Sequence, residues 1–267
     1  MSITELPSYR RPPVVEVVCG VQFEELTSFS SIHYGKFGSR IAAEYPRTED
    51  QQPLAEVFEH AQAAKEEVVT FALPPLRRVF YISDDQNYLL QVQPTRFLAN
   101  WRRRVEEDQY PRFPTAYERF LRGWHQFNDF IRTEGIGVPK VNQYELSYIN
   151  HILESNVPFP EGIQEHLGFF TWKGAQVLKF LPTPRAANFR IQFALPDGKG
   201  TLHVTVNHGK RATDGKGVVL MDLTARGPGK ANASDMDAWL KLAHEWIVRG
   251  FTDLTAVEAH KRWEREK

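Results

Sequence analysis

The sequence predicts an α+β protein: two antiparallel β-meander regions, each backed by aromatic-rich helices, standing as two similar subdomains or merged into one sheet. Three observations carry this. In NFRIQFAL, Phe189, Ile191, Phe193 and Leu195 alternate with Asn188, Arg190, Gln192 and Ala194, and TLHVTVNH repeats the pattern with Leu202, Val204 and Val206. Alternation with period two marks strands with one buried and one wet face. Pro196-Asp197-Gly198 and Asp214-Gly215 supply turns between these runs and a third, VVLMDLTAR, completing a three-stranded meander. Finally, Tyr117, Phe120, Leu121, Trp124, Phe127 and Ile131 recur at helical spacing, as do Trp239, Leu242, Ala243 and Trp246.

In chain order, Pro12 and Pro13 favour an extended start. VVEVVCGVQFEE then reads as a strand, with Val15, Val17, Cys19, Val21 and Phe23 on one face and Glu16, Gln22 and Glu24 on the other. Gly20 marks a bulge or a close backbone approach. From Ser30 to Lys65 helical pieces are expected, broken near Pro46 and Pro53; the second, LAEVFEHAQAAKEE, sets Leu54, Val57, Phe58 and Ala61 on one side. VVTFAL, RRVFYI and NYLLQVQ form a second strand group, with a hairpin loop at Ser83–Asn87. A helix follows from Pro114 to about Thr133, ended by Gly135. KVNQYELSYINHIL returns as a strand. Pro158, Pro160, Gly162 and Gly168 then mark a connection, which places subdomains at 1–157 and 158–267. After the C-terminal meander, Ser234 and Asp237 have capping-box spacing and Gly250 is expected to stop their helix. Thr255 and Glu258 open a last short one.

Bulk properties exclude several classes. Thirty-three basic and 33 acidic residues cancel, so no whole-molecule field draws in nucleic acid or acidic membrane. A single cysteine, Cys19, rules out an internal disulfide and a cysteine-rich zinc site. The N-terminus lacks the apolar core of a secretory leader, and no apolar run approaches the roughly 18 residues of a membrane span. The expected address is the cytoplasm, with no membrane partner.

Candidate chemistry is sparse. Cys19 sits among valines on a buried face, where a thiol behaves as a small hydrophobe. His244-Glu245 begins like a metalloprotease helix but lacks the second histidine, and the nine histidines show no metal-ligand spacing. Gly209–Gly217 resembles a phosphate loop, yet a strand follows it and Gly217 stands where a magnesium-binding hydroxyl is required. Arg102-Arg103-Arg104 is answered at once by Glu106, Glu107 and Asp108, a solvated self-paired segment. What remains is a basic stretch between residues 199 and 230, with Lys199, His208, Lys210, Arg211, Lys216 and Arg226 as candidate binding residues for phosphates or an acidic partner. A dispersed site pairing His151 or His203 with a carboxylate is the enzymatic alternative. No catalytic residue, cofactor or metal is named by the sequence.

Three segments, PPVVEVVCGVQFEEL, LLQVQPTRFLANWR and AHEWIVRGFTDLTAVEAHKRW, together resemble a sporadically distributed family of bacterial proteins of about this length. The likeness runs over nearly the whole chain, but none of its motifs is catalytic, so no active-site residue carries over. Patchy distribution implies an accessory gene of the defence or toxin-control kind. The expectation is therefore a non-enzymatic module that binds a protein partner, self-associates or regulates, with nucleic acid as the alternative partner.

Overall fold

Strand β1 (Val14–Phe23) is the axis of the molecule. It pairs antiparallel with β5 (Arg96–Arg102) on one side and β6 (Val141–Leu153) on the other. The computed structural model of the chain describes residues 5–58, 76–153, 157, 159–210, 215–230 and 232–267. Outward from β5 run β4 (Tyr88–Gln93), β3 (Arg78–Ile82) and β2 (Arg47–Gln51); outward from β6 run β9 (Gly217–Pro228), β8 (Thr201–Lys210) and β7 (Asn188–Ala194). The sheet thus has nine strands in the order β2-β3-β4-β5-β1-β6-β9-β8-β7, antiparallel throughout. The two meanders are wings of this one sheet. In each half the first strand pairs with the last, and the two first strands pair with each other.

Helices α1 (Ser31–Ile41), α2 (Arg112–Thr133) and α4 (Ala233–Leu254) cover one face, with a single turn α3 (Gly174–Val177) and a short α5 (Val257–Arg262). Their apolar stripes explain this. Phe120, Phe127, Phe130 and Ile131 of α2 are fully buried, and Phe127 stacks on Phe97 with ring centroids 5.3 Å apart. Phe37 of α1 meets Tyr81 and Phe130, each at 5.3 Å. Each such side chain contributes about 1.5–3 kcal/mol by burial. Val17, Cys19, Val21 and Phe23 of β1 face this layer, and Cys19 is buried there.

Several sequence expectations are corrected. Residues 54–58 form neither helix nor strand, and the backbone groups of Leu54 and Val57 are bonded instead by side chains of the sheet. The rest of the expected helix, and the strand VVTFAL, lie outside the described residues. Helix α4 runs through Gly250 to Leu254: a Cβ at 250 would come within 3.1 Å of Leu202, so the glycine serves close helix–sheet approach, not termination. Its N-cap is Asn232, whose Oδ1 accepts from the Ser234 amide at 3.0 Å. Asp237 instead accepts from the Tyr117 hydroxyl at 2.9 Å, tying α4 to α2. The buried stripe is Trp239, Leu240, Ala243, Ile247 and Phe251, laid over β6, β9 and β8; at edge strand β7, Phe193 stays 37% exposed. Arg102 and Arg103 are half-buried rather than solvated: Arg102 donates to the Gln86 carbonyl, and the Arg103 amide to that of Val15. Gly20 is a close approach; a Cβ there would lie 2.2 Å from Leu98.

Candidate functional site

The opposite face of the sheet carries no helix among the described residues, yet much of it is buried, with polar side chains set among apolar ones such as Val18, Leu89 and Leu98. Alternation puts Glu16, Val18, Gly20 and Gln22 of β1 on this face, and the register extends it sideways into rows. One row reads Gln93, Arg96, Gln22, Gln143 across β4, β5, β1 and β6. All four are at most 5% exposed. A second reads Leu89, Asn100, Val18, Ser147, Thr224, His203, Gln192, and a third Arg102, Glu16, Ile149, Asp222, Thr205, Arg190.

Hydrogen bonds wire the rows together. Arg78 Nη1 donates to Gln91 Oε1 at 2.7 Å, Gln91 Nε2 to Asn100 Oδ1 at 2.8 Å, and Asn100 Nδ2 to Glu16 Oε1 at 2.5 Å. This chain links four strands and fixes rotamers before any ligand arrives. Arg226, a predicted site residue, is held by Glu145 at 2.6 Å, and the hydroxyls of Ser147 and Thr224 share a bond of 2.8 Å. Burial sets the electrostatics: it raises the Glu16 carboxyl, lowers Arg78 and Arg96, and pushes Asp222 up to about 6.

Residues 52–58 cross this face as a strap. Leu54 donates its N–H to Gln93 Oε1 at 3.0 Å and accepts at its carbonyl from Gln93 Nε2 at 2.9 Å. Val57 does the same with Gln22, both bonds 3.1 Å. Between them the Ala55 carbonyl accepts from Arg96 Nη2 at 3.2 Å. Two inter-strand spacings are about 9.6 Å, and three residues of chain reach about 10 Å only when close to fully extended, so holding Leu54 over β4 and Val57 over β1 stretches the strap across β4, β5 and β1. Each glutamine therefore stands in for a neighbouring strand. Next in the row is Gln143, whose Nε2 is buried without a partner among the described residues, as are Arg78 Nε and Asp222 Oδ1 on the same face. Native interiors rarely leave such atoms unpaired, and Gln143 stands directly beside the strap-holding Gln22 in the register.

The residues expected to bind divide between the two ends of β8, Lys199 beside Arg226 at one and Lys210 beside Lys216 at the other. Lys199 follows the β7–β8 turn, while Lys210 and Lys216 lie at the other end of ten-residue β8, roughly 30 Å away. Arg211 lies outside the described residues. His208 stacks on Phe159 at 4.4 Å, on the helix-facing side. His151 and His203 share the polar face but sit on β6 and β8 in different rows. Burial pushes the Cys19 thiol up to about 12, which leaves it protonated. Among the described residues no three His, Cys, Asp or Glu side chains converge as a metal site, and no helix is long and apolar enough to cross a membrane. The strap site escaped sequence reading because Gln22 and Gln93 look like ordinary wet-face residues of amphipathic strands. One signal was present: four successive strands carry amide or guanidinium side chains at corresponding positions.

The sequence matches no protein-family model, and none of the curated proteins aligns with it.

Proposed function

We propose that the protein is a non-enzymatic binding module whose polar sheet face takes up an extended segment of a protein partner, with the strap as its internal stand-in. One observation carries this reading: Gln93 and Gln22 each grip both backbone groups of a single strap residue. Such pairing ignores side-chain identity at the gripped residue and recognises extended main chain, the logic of strand addition transferred from a sheet edge to a sheet face. Exchanging one extended chain for another conserves the hydrogen bonds, so the swap has little intrinsic cost. Glu16, Glu145 and Asp222 interleave with the arginines, a mixture that suits a polypeptide and opposes a polyphosphate. In the bacterial accessory setting implied by the family resemblance, such a module presents or sequesters a partner.

The test uses the full chain with Leu54→Pro and Val57→Pro, which deletes the two N–H groups and frees the strap while leaving the glutamines intact. A labelled peptide with the sequence of residues 51–58 is expected to bind this variant, to bind the parent far more weakly, and to lose binding when Gln22→Ala is added. A folded double-proline variant that ignores the peptide overturns the proposal.

A further inference from the structure

On the helix side, away from the strap, a cavity of about 210 Å³ lies between the start of α2, the middle of α4 and the segment leading into β1. Leu6, Val14, Leu223, Ile247 and Phe251 make its apolar wall. At roughly 30 Å³ per water it has the volume of about seven waters, room for one ring or a short chain rather than a drug-sized molecule.

Its polar side is a relay of three groups. The hydroxyls of Tyr110 and Tyr148 are 2.8 Å apart, and the Tyr148 hydroxyl is 3.0 Å from His244 Nδ1. Phe113 stacks on the imidazole with centroids 4.1 Å apart and planes within 7°, which fixes the ring. Burial lowers His244 to about 4 and raises both phenols, so the relay is neutral around pH 7 and able to donate hydrogen bonds. The one charged wall residue is Arg112. It makes no ion pair among the described residues and lies over the Tyr110 ring, 5.9 Å from its centroid. Its φ of +71° is a conformation that costs a bulky side chain about 1 kcal/mol or more and that persists mainly where a site uses it.

We propose that this cavity binds a small, mainly apolar monocarboxylic acid, with its hydrocarbon against Ile247 and Phe251 and its carboxylate toward Arg112 and the tyrosine–histidine relay. A cation and neutral donors beside an apolar wall match one carboxylate on a hydrocarbon body. The site is independent of the strap face.

The test is a titration of the full chain with benzoate and hexanoate, and with benzyl alcohol as the uncharged control, followed through the His244 ring resonances. The acids are expected to shift them and to bind at least about tenfold more tightly than the alcohol, the order of one charge-assisted hydrogen bond. Arg112→Gly removes the charge and relieves the positive φ. It should erase the preference for the acid while keeping the melting temperature equal or higher. Tyr148→Phe should weaken benzoate binding with the fold intact. The inference fails if neither acid perturbs the ring, if acid and alcohol bind alike, or if Arg112→Gly leaves benzoate affinity unchanged.

Discussion

Removing the grip of Gln93 on the strap is the sharpest perturbation available. Gln93→Leu keeps the volume of the side chain but deletes both bonds to Leu54, of 3.0 and 2.9 Å. Each such side-chain-to-backbone hydrogen bond contributes about 1 kcal/mol net, so local opening at Leu54 should become easier by about 2 kcal/mol, close to 30-fold. The assay is native-state hydrogen exchange of the Leu54 amide, with the Leu90 amide in the core of β4 as reference. Leu54 exchange should rise about 30-fold while Leu90 changes little, because the strap opens without unfolding the sheet. Gln22→Leu should do the same at Val57, which is held by two bonds of 3.1 Å. If Leu54 accelerates only as much as Leu90, the strap is a cooperative part of the fold and the argument for an exchangeable segment collapses.

Four further outcomes are expected. The Asp222 carboxyl is raised from 3.8 to about 6, so the folded state holds its proton longer and stability falls as pH rises from about 4 to about 6. Asp222→Asn should therefore stabilise the protein above pH 6, by about 1–2 kcal/mol once solvent screening of the half-buried carboxyl is discounted, with the gain gone near pH 4; a lower melting temperature at pH 8 would falsify this. His166 has the opposite sign: burial lowers it from 6.5 to about 4, so stability is lost as pH falls from 6.5 toward 4, and His166→Asn should flatten that limb of the melting-temperature profile. Gly200→Ala should cost at least about 3 kcal/mol, since φ is +122° and a Cβ would sit 1.9 Å from the Arg226 carbonyl, whereas Gly250→Ala should stay within about 1 kcal/mol because only the flexible Leu202 need yield; equal urea midpoints for the two would contradict both assignments. Replacing the wired set with apolar groups (Arg78→Met, Gln91→Leu, Asn100→Leu, Glu16→Leu) should leave unfolding free energy unchanged or higher, and a loss above about 3 kcal/mol would assign the network to the fold.

The meanders and long helices were legible because period-two and period-3.6 patterns report burial directly. Leu202 to Val206 and Tyr117 to Ile131 bury the face their pattern announces, whereas Phe189, Ile191 and Phe193 of edge strand β7 stay partly exposed. Strand β2, RTEDQ, has no such pattern: it is an edge strand with exposed side chains, held by its backbone ladder to β3. Residues 54–58 carry a helical pattern in Leu54, Val57 and Phe58, and the sheet overrides it by satisfying the N–H groups of Leu54 and Val57 elsewhere. The cavity relay joins Tyr110, Tyr148 and His244 from three elements, so no spacing along the chain betrays it. The basic loops are the reverse case. Their charge is plain in the sequence, but strand length separates Lys199 from Lys210, and Glu145 already holds Arg226.

A sheet face without helices usually meets water through alternating charged side chains that make few commitments. Here the face commits its charges, wiring Arg78 to Glu16 through two amides and setting Gln93, Arg96 and Gln22 under the strap. Burying ionic groups rarely improves stability over an apolar core of the same volume, so stability alone does not account for this arrangement. Nor does solubility, which surface charge supplies without burial. Directional groups held in fixed rotamers do supply selectivity for an object with complementary groups, and among the described residues they hold the main chain of the strap. Gln143 Nε2, next in the row beyond Gln22 and without a partner among the described residues, extends that logic by one strand. A bound segment that continues in the direction of the strap would present its next carbonyl there.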